Sequence, residues 1–107
     1  MELLNLSTED LDWKDSAVEA FYRISTRQAN RKDFIEMYFL LQHFSLEEVL
    51  VFFGKKHPKQ SLFRALMSLT YFVDAENFEM PKMFVDFDWE QGKSFILNKV
   101  KEYENRY

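Results

Sequence analysis

Apolar side chains recur along this chain every three or four residues, and very little interrupts them. Trp13, Ala17, Phe21 and Ile24, joined by Ala20, make one stripe, and Phe34, Met37, Tyr38, Leu41 and Phe44 make a second. An α-helix turns once in 3.6 residues, so this spacing puts each set on one face and marks helices that bury that face. Only 2 Gly and 2 Pro occur in 107 residues, too little turn chemistry for a sandwich or a barrel. The expected fold is all-α: about five helices in a single compact orthogonal or bundle-like domain covering residues 1–107.

A chain of this length buries roughly two-thirds of its unfolded surface and needs no covalent staple. The 12 Phe, 5 Tyr and 2 Trp are the bulk of its core material, since each buried ring removes on the order of 150–250 Å² from water. No cysteine is present, which excludes disulfides and thiolate metal sites. The stretch Met1–Asp15 has no apolar run behind a basic start, as a signal peptide requires. No apolar run approaches the roughly 20 residues that cross a bilayer. The expectation is a cytoplasmic protein with no membrane role. The net charge of −4 makes nucleic acid an unexpected partner, because phosphate-backbone binding calls for a basic face.

Helix one is expected over about Asp12 to Arg27, with Asp12, Asp15 and Glu19 toward its start and Arg23 and Arg27 toward its end, as the helix dipole favours. Asn30 caps helix two, about Arg31 to His43, with Asp33 bonding backward. Lys32, Asp33, Glu36 and His43 form a polar strip bordered by Phe39 and Leu40, so this helix is apolar on most of its circumference and is expected at the centre. Ser45 and Glu48 form an S-x-x-E capping box, with Phe44 and Val49 placed as a hydrophobic staple. That helix, Leu46–Phe53, should stop at Gly54 as a left-handed C′ residue. A short basic loop of Lys55, Lys56, His57 and Pro58 follows. A fourth helix, about Gln60 to Val73, carries Leu62, Ala65, Leu66, Leu69 and Phe72 or Val73 on its apolar side. Asp74 to Phe87 reads as irregular, tacked down by Phe78, Met80, Met83, Phe84 and Phe87. Asp88 caps the last helix, whose buried face is Trp89, Ile96, Val100, Tyr103 and Tyr107; Gly92 inside it costs about 1 kcal/mol relative to Ala.

Standard catalytic signatures are missing: no glycine-rich phosphate loop, no H-E-x-x-H, no G-x-S-x-G. Two histidines, His43 and His57, read as exposed or capping residues rather than as metal ligands. Asp33 and Glu36 share a helix face and could serve as an acid–base pair or hold a divalent cation. The simpler reading is that Asp33 caps and Glu36 pairs with Lys32. Arg23, Arg27, Arg31 and Lys32 make a basic patch at the junction of helices one and two. It could meet a phosphate, with Arg27 and Arg31 as the binding candidates, or be a solvated face partnered by neighbouring acids. No metal site is expected.

The segment Arg31-Lys32-Asp33-Phe34-Ile35-Glu36-Met37-Tyr38-Phe39-Leu40-Leu41 resembles the R-K-D-F-[IV]-D-[IL]-Y-F-L-L stretch of AbiEii/AbiGii-type nucleotidyltransferases, the toxin family of bacterial abortive-infection systems. The likeness continues through Phe44-Ser45-Leu46-Glu47-Glu48. It resumes at Ser68–Glu76, at Met80-Pro81-Lys82-Met83 and at Trp89-Glu90, covering about Asp15 to Ile96.

The resemblance implies the helical C-terminal half of such an enzyme. The G-G-T turn and paired metal-binding acids of the family's N-terminal sheet have no counterpart in this sequence. The family-motif positions are Lys32, Asp33 and Glu36; an upstream lysine falls on Phe21, and the arginine after it on Gln28, beside Arg27. The implied function is that of a toxin-like nucleotidyltransferase module, non-catalytic alone, a remnant or an accessory half. Mg²⁺ and a nucleoside triphosphate enter only if a catalytic half completes it. The alternative is a small helical protein-interaction module with no nucleotide-related role. Either reading expects self-association or a protein partner on the face of helices one and two, unless the 74–87 segment folds back and seals it.

Overall fold

Short polar side chains start most of the helices by taking amides that have no partner inside the helix. Asn30 and Asp33 exchange bonds at the head of one helix, and Ser45 and Glu48 do so at the head of the next, with Ser45 Oγ accepting the Glu48 N–H at 3.0 Å. Ser61 Oγ accepts the Arg64 N–H, and Asp88 Oδ1 accepts the Gln91 N–H, both at 3.1 Å. Each satisfied cap stabilises its helix by about 1 kcal/mol. The structure, a computed structural model, describes the backbone of residues 8–106 and the side chains of 15–82 and 84–105. The side-chain expectations placed on Asp12, Trp13, Met83 and Tyr107 lie outside the described residues.

Six α-helices follow in order among the described residues: α1 (Thr8–Ser25), α2 (Arg31–His43), α3 (Leu46–Lys56), α4 (Leu62–Ser68), α5 (Val73–Glu76) and α6 (Trp89–Arg106), with a 3-10 turn at Lys82–Phe84 before the last. No strand occurs among them. The radius of gyration, 13.4 Å, matches the ~13 Å of a compact folded chain of this length. No helix among the described residues is long and apolar enough to cross a membrane.

The centre is α2, which packs on α1, α3, α5 and α6 and shares its largest interface with α1. Phe34, Ile35, Met37, Leu40 and Leu41 are buried on it, so both the apolar face and the residues beside the polar strip go inward. From α1 come Ala17, Val18, Ala20, Phe21 and Ile24, and from α6 Trp89, Ile96 and Val100. Phe21 lies against Phe53 with ring centroids 4.7 Å apart, tying α1 to α3. Phe34, Phe72 and Trp89 form a second aromatic cluster, at 5.2 Å and 6.2 Å from the Phe34 ring.

The chain between α5 and α6 folds back over α2. Phe87 stands edge-on to Tyr38 at 4.9 Å and lies 6.0 Å from Phe39, while Phe84 is 6.4 Å from Phe39. These rings cover the part of α2 around Tyr38 and Phe39. Phe21 and Leu40 are buried and Phe39 is half-buried. The large exposed apolar side chains sit elsewhere.

Two helix ends differ from expectation. Gly54 does not end α3. It has no positive φ, and the helix runs one turn further to Lys56 with His57 as its cap. Tertiary contacts hold that turn: Lys56 pairs with Asp15 and Glu19, and the His57 ring stacks on Tyr22 at 4.3 Å. The fourth helix stops at Ser68 rather than Val73. Ser68 Oγ donates to the Arg64 carbonyl and Thr70 Oγ1 to the Met67 carbonyl, while Leu69, Thr70 and Tyr71 bond back three residues. Local side-chain capture of this kind competes with α-helical bonding and tightens the end into 3-10 form. Val73 therefore falls outside the core; Leu62, at the head of α4, and Phe78 of the following segment, which itself contains α5 and the 3-10 turn, are exposed as well.

Gly92 has a packing reason. A Cβ there would lie 2.6 Å from both Cε2 and Cζ of Phe87, so the missing side chain lets the Phe87 ring lie against α6.

Candidate functional site

The basic patch and the family-motif residues meet at the elbow between α1 and α2. α1 ends in a Schellman turn: the Gln28 N–H bonds the Arg23 carbonyl at 2.9 Å and the Arg27 N–H bonds the Ile24 carbonyl at 3.1 Å. The residue this turn places in left-handed conformation is Arg27, φ 64°, where glycine is the usual occupant. From there its guanidinium meets Asp74 through two bonds and lies 4.4 Å over the Tyr71 ring. Asp74 holds the Arg27 guanidinium charged by raising its pKa.

Asp33 is 2% exposed. Its Oδ2 accepts the Asn30 N–H at 3.0 Å, and its Oδ1 receives Arg23 Nε at 2.9 Å and Arg23 Nη2 at 2.7 Å. The hydrogen bond that Arg23 donates to Asp33 raises the Arg23 pKa, more than burial lowers it. Both carboxylate oxygens are thus engaged in framework bonds, one closing the α2 cap and one joining α1 to α2.

Glu36 lies on the same side of α2. One oxygen faces Lys32 Nζ at 3.7 Å; the other is buried with no hydrogen-bond partner among the described residues. Burial pushes its carboxyl group upward, Lys32 opposes the shift, Asp33 adds to it and Arg23 opposes it. Arg31 turns the other way. It donates to the Ala75 and Glu76 carbonyls at 3.3 and 3.1 Å, satisfying the end of α5, and stacks over Trp89 at 4.9 Å. Glu76 itself takes Lys93 at 2.7 Å and Trp89 Nε1 at 3.3 Å; chiefly through Lys93, its carboxyl is held below the usual range.

The structure therefore brings Arg23, Lys32, Asp33 and Glu36 together and gives each of the four basic residues an acid: Arg23 to Asp33, Arg27 to Asp74, Arg31 to Glu76 and Lys32 to Glu36. These groups do not fit Mg²⁺. Asp33 has both oxygens committed, and no set of three or more metal-type side chains converges among the described residues. No catalytic step follows from them. His57 caps α3 and its Nε2 lies 3.0 Å from Glu19, while His43 is exposed at the end of α2.

A second feature lies beside the elbow and shares Arg27 with it. The end of α1 and the outer side of α4 enclose a groove of about 620 Å³, its walls including Arg27, Phe63, Arg64, Met67 and Tyr71. Phe63 is 72% exposed. Ala65 and Leu66 of α4, with Leu69 just past its end, are buried, which leaves Phe63 on the outside, while Met67, four residues on, is half-buried against the core. Periodicity contained this signal: Phe63 falls off the apolar stripe of its own helix, and a large ring on a polar face is informative.

The fold and this surface define a class, a compact all-α domain with an open apolar and basic groove on its outside. No family model, no curated protein and no solved structure matches the chain.

Proposed function

We propose that this chain is a helical protein-interaction module with no nucleotide-related role, and that it binds its partner through the outer face of α4. The observation that carries the reading is Phe63, a phenyl ring 72% exposed on a helix whose inner face is anchored in the core. Exposed Leu62 and Tyr71 lie on the same helix and just past its end. Large apolar groups on rigid elements are the anchors that dominate binding energy at protein interfaces. The charged residues of the α1–α2 elbow act differently, as bonds between helices.

The test replaces Phe63 with the photoreactive analogue benzoylphenylalanine and irradiates the full chain in host lysate. The same analogue at exposed Glu104 of α6 is the control. A discrete protein adduct formed at position 63 and absent at 104 supports the module. Identical adduct patterns at both positions contradict it.

A second reading rests on Glu36. A half-buried carboxylate with one unpartnered oxygen, at a position matching the nucleotidyltransferase phrase, suits a helical half that a catalytic sheet domain completes. Labelled-nucleotide transfer with Mg²⁺, reconstituted by adding such a domain and abolished by Glu36→Ala, is its test.

A further inference from the structure

Resting on the interaction-module reading, the chemistry of the groove points to its occupant: we infer that it receives an acidic segment of a partner protein carrying an aromatic or large aliphatic anchor.

Charge is the first argument. The groove wall contains two arginines, Arg27 and Arg64, and no carboxylate, in a chain whose net charge is −4; Arg27 is paired with Asp74 just outside the wall, so Arg64 carries the uncompensated charge. Among the described residues the Arg64 guanidinium has no ion pair and no side-chain hydrogen bond, so its donors point to solvent. A free guanidinium beside apolar surface matches a carboxylate geometrically and electrostatically.

The hydroxyls narrow the class further. Ser25 Oγ donates to the Tyr22 carbonyl at 2.7 Å, Thr26 Oγ1 to the carbonyls of Tyr22 and Arg23, and Ser68 Oγ to that of Arg64. Their protons are turned back into the backbone. What the groove offers outward is the Arg64 guanidinium, the Ser61 hydroxyl proton and the apolar faces of Phe63 and Tyr71, with half-buried Met67 between them, which is recognition for a carboxylate next to a ring or branched chain. A nucleic acid strand would meet one uncompensated arginine of this wall on an acidic molecule, a poor footprint for a polyanion.

Size and rigidity fit a segment rather than a domain. About 620 Å³ is the scale of pockets that hold a few side chains. Arg27 is fixed by its left-handed backbone, by Asp74 and by the Tyr71 ring beneath it, with its side chain still 51% exposed. A non-glycine residue held in that conformation and aimed at a groove is preorganised for contact there.

The experiment is fluorescence anisotropy of the full chain with short labelled peptides of equal length. One interleaves glutamate with phenylalanine, one glutamate with serine, and one lysine with phenylalanine; a labelled oligouridylate strand is the fourth probe. The glutamate–phenylalanine peptide should bind saturably in the micromolar range and more weakly as salt rises. Arg64→Glu and Phe63→Ser should each weaken it by about tenfold or more, and Arg64→Lys by less. Circular dichroism confirms that the variants fold, as both positions are exposed. Absence of saturable binding, affinity unchanged by Arg64→Glu, or tighter binding of the lysine peptide or the oligouridylate would overturn the inference. Position-63 crosslinks that survive Arg64→Glu, together with flat peptide titrations, would sink the acidic partner and leave the module standing. Loss of both sinks both.

Discussion

Arg27 binds Asp74 across 47 residues of sequence, Nε to Oδ2 at 2.5 Å and Nη2 to Oδ1 at 2.9 Å, from a backbone φ of 64°. The pair joins the end of α1 to α5 and orients one wall of the groove. Backbone and side chain pull in opposite directions at this residue: glycine would suit the φ, and only arginine makes the two-pronged bond. Arg27→Ala keeps the unfavourable φ and loses the pair, whereas Arg27→Gly loses the pair and relieves the φ. The expected order of thermal midpoints is therefore native, then Gly, then Ala, with Ala below Gly by roughly 5 °C. An alanine variant as stable as the glycine variant would contradict the strain at this turn.

Asp33 sits where the resemblance places a functional acid, yet its bonds are structural. Arg23, 44% exposed on its side chain, stays hydrated when its partner is removed, so the loss is that of a cap and of one screened charge-assisted pair. Asp33→Ala should destabilise the fold by about 2 kcal/mol. Asp33→Asn, which still accepts the Asn30 N–H, should lose less. Urea denaturation measures both, and an Asp33→Ala change within experimental error of zero would show that the cap and the Arg23 pair contribute nothing.

Glu36 carries a pH signature. Its carboxyl is shifted above the ordinary 4.5 by burial, so the folded state holds the proton more tightly than the unfolded one. The stability linked to that proton is fully present below pH 4.5 and is lost as pH rises through the shifted value. Glu36→Gln should accordingly be more stable than the native chain at pH 7, with the gain shrinking as pH is lowered through the window just above 4.5. A gain independent of pH would contradict the shift.

At Gly92 two effects compete. Alanine is favoured over glycine in a helix by about 1 kcal/mol, but its methyl would fall 2.6 Å from Phe87. That ring is pinned by Tyr38 and Phe39, and overpacking of this kind costs about 1–3 kcal/mol. Gly92→Ala should lower the melting temperature. A rise would mean that the ring moves freely.

How much of this was legible in the sequence follows from how local each cause is. The caps at Asn30, Ser45 and Asp88 act over three residues, and their spacing is on the surface of the text. The buried faces of α1, α2 and α6 follow from helical period, as Phe21, Phe34, Ile96 and Val100 illustrate. Gly54 was misleading because its effect depends on whether Lys56 and His57 find Asp15, Glu19 and Tyr22, contacts made across the fold. Arg27 was opaque for the opposite reason: arginine carries no left-handed preference, and its conformation is imposed by Asp74 and by the turn. In the candidate site, the pairing of Lys32 with Glu36 was readable from i,i+4 spacing. The pairing of Arg27 with Asp74 was not. Phe63 is legible in the sequence, because it falls off the buried stripe of its own helix.

That the α4 groove, and not the α1–α2 elbow, meets a ligand is tested residue by residue by an amide chemical-shift titration of the full chain. Adding the glutamate–phenylalanine peptide should shift Arg27, Phe63, Arg64, Met67 and Tyr71, while Mg²⁺ with ATP should leave Lys32, Asp33 and Glu36 in place. Shifts at Lys32, Asp33 and Glu36 on adding Mg²⁺ and ATP, with the groove residues silent to the peptide, would contradict it.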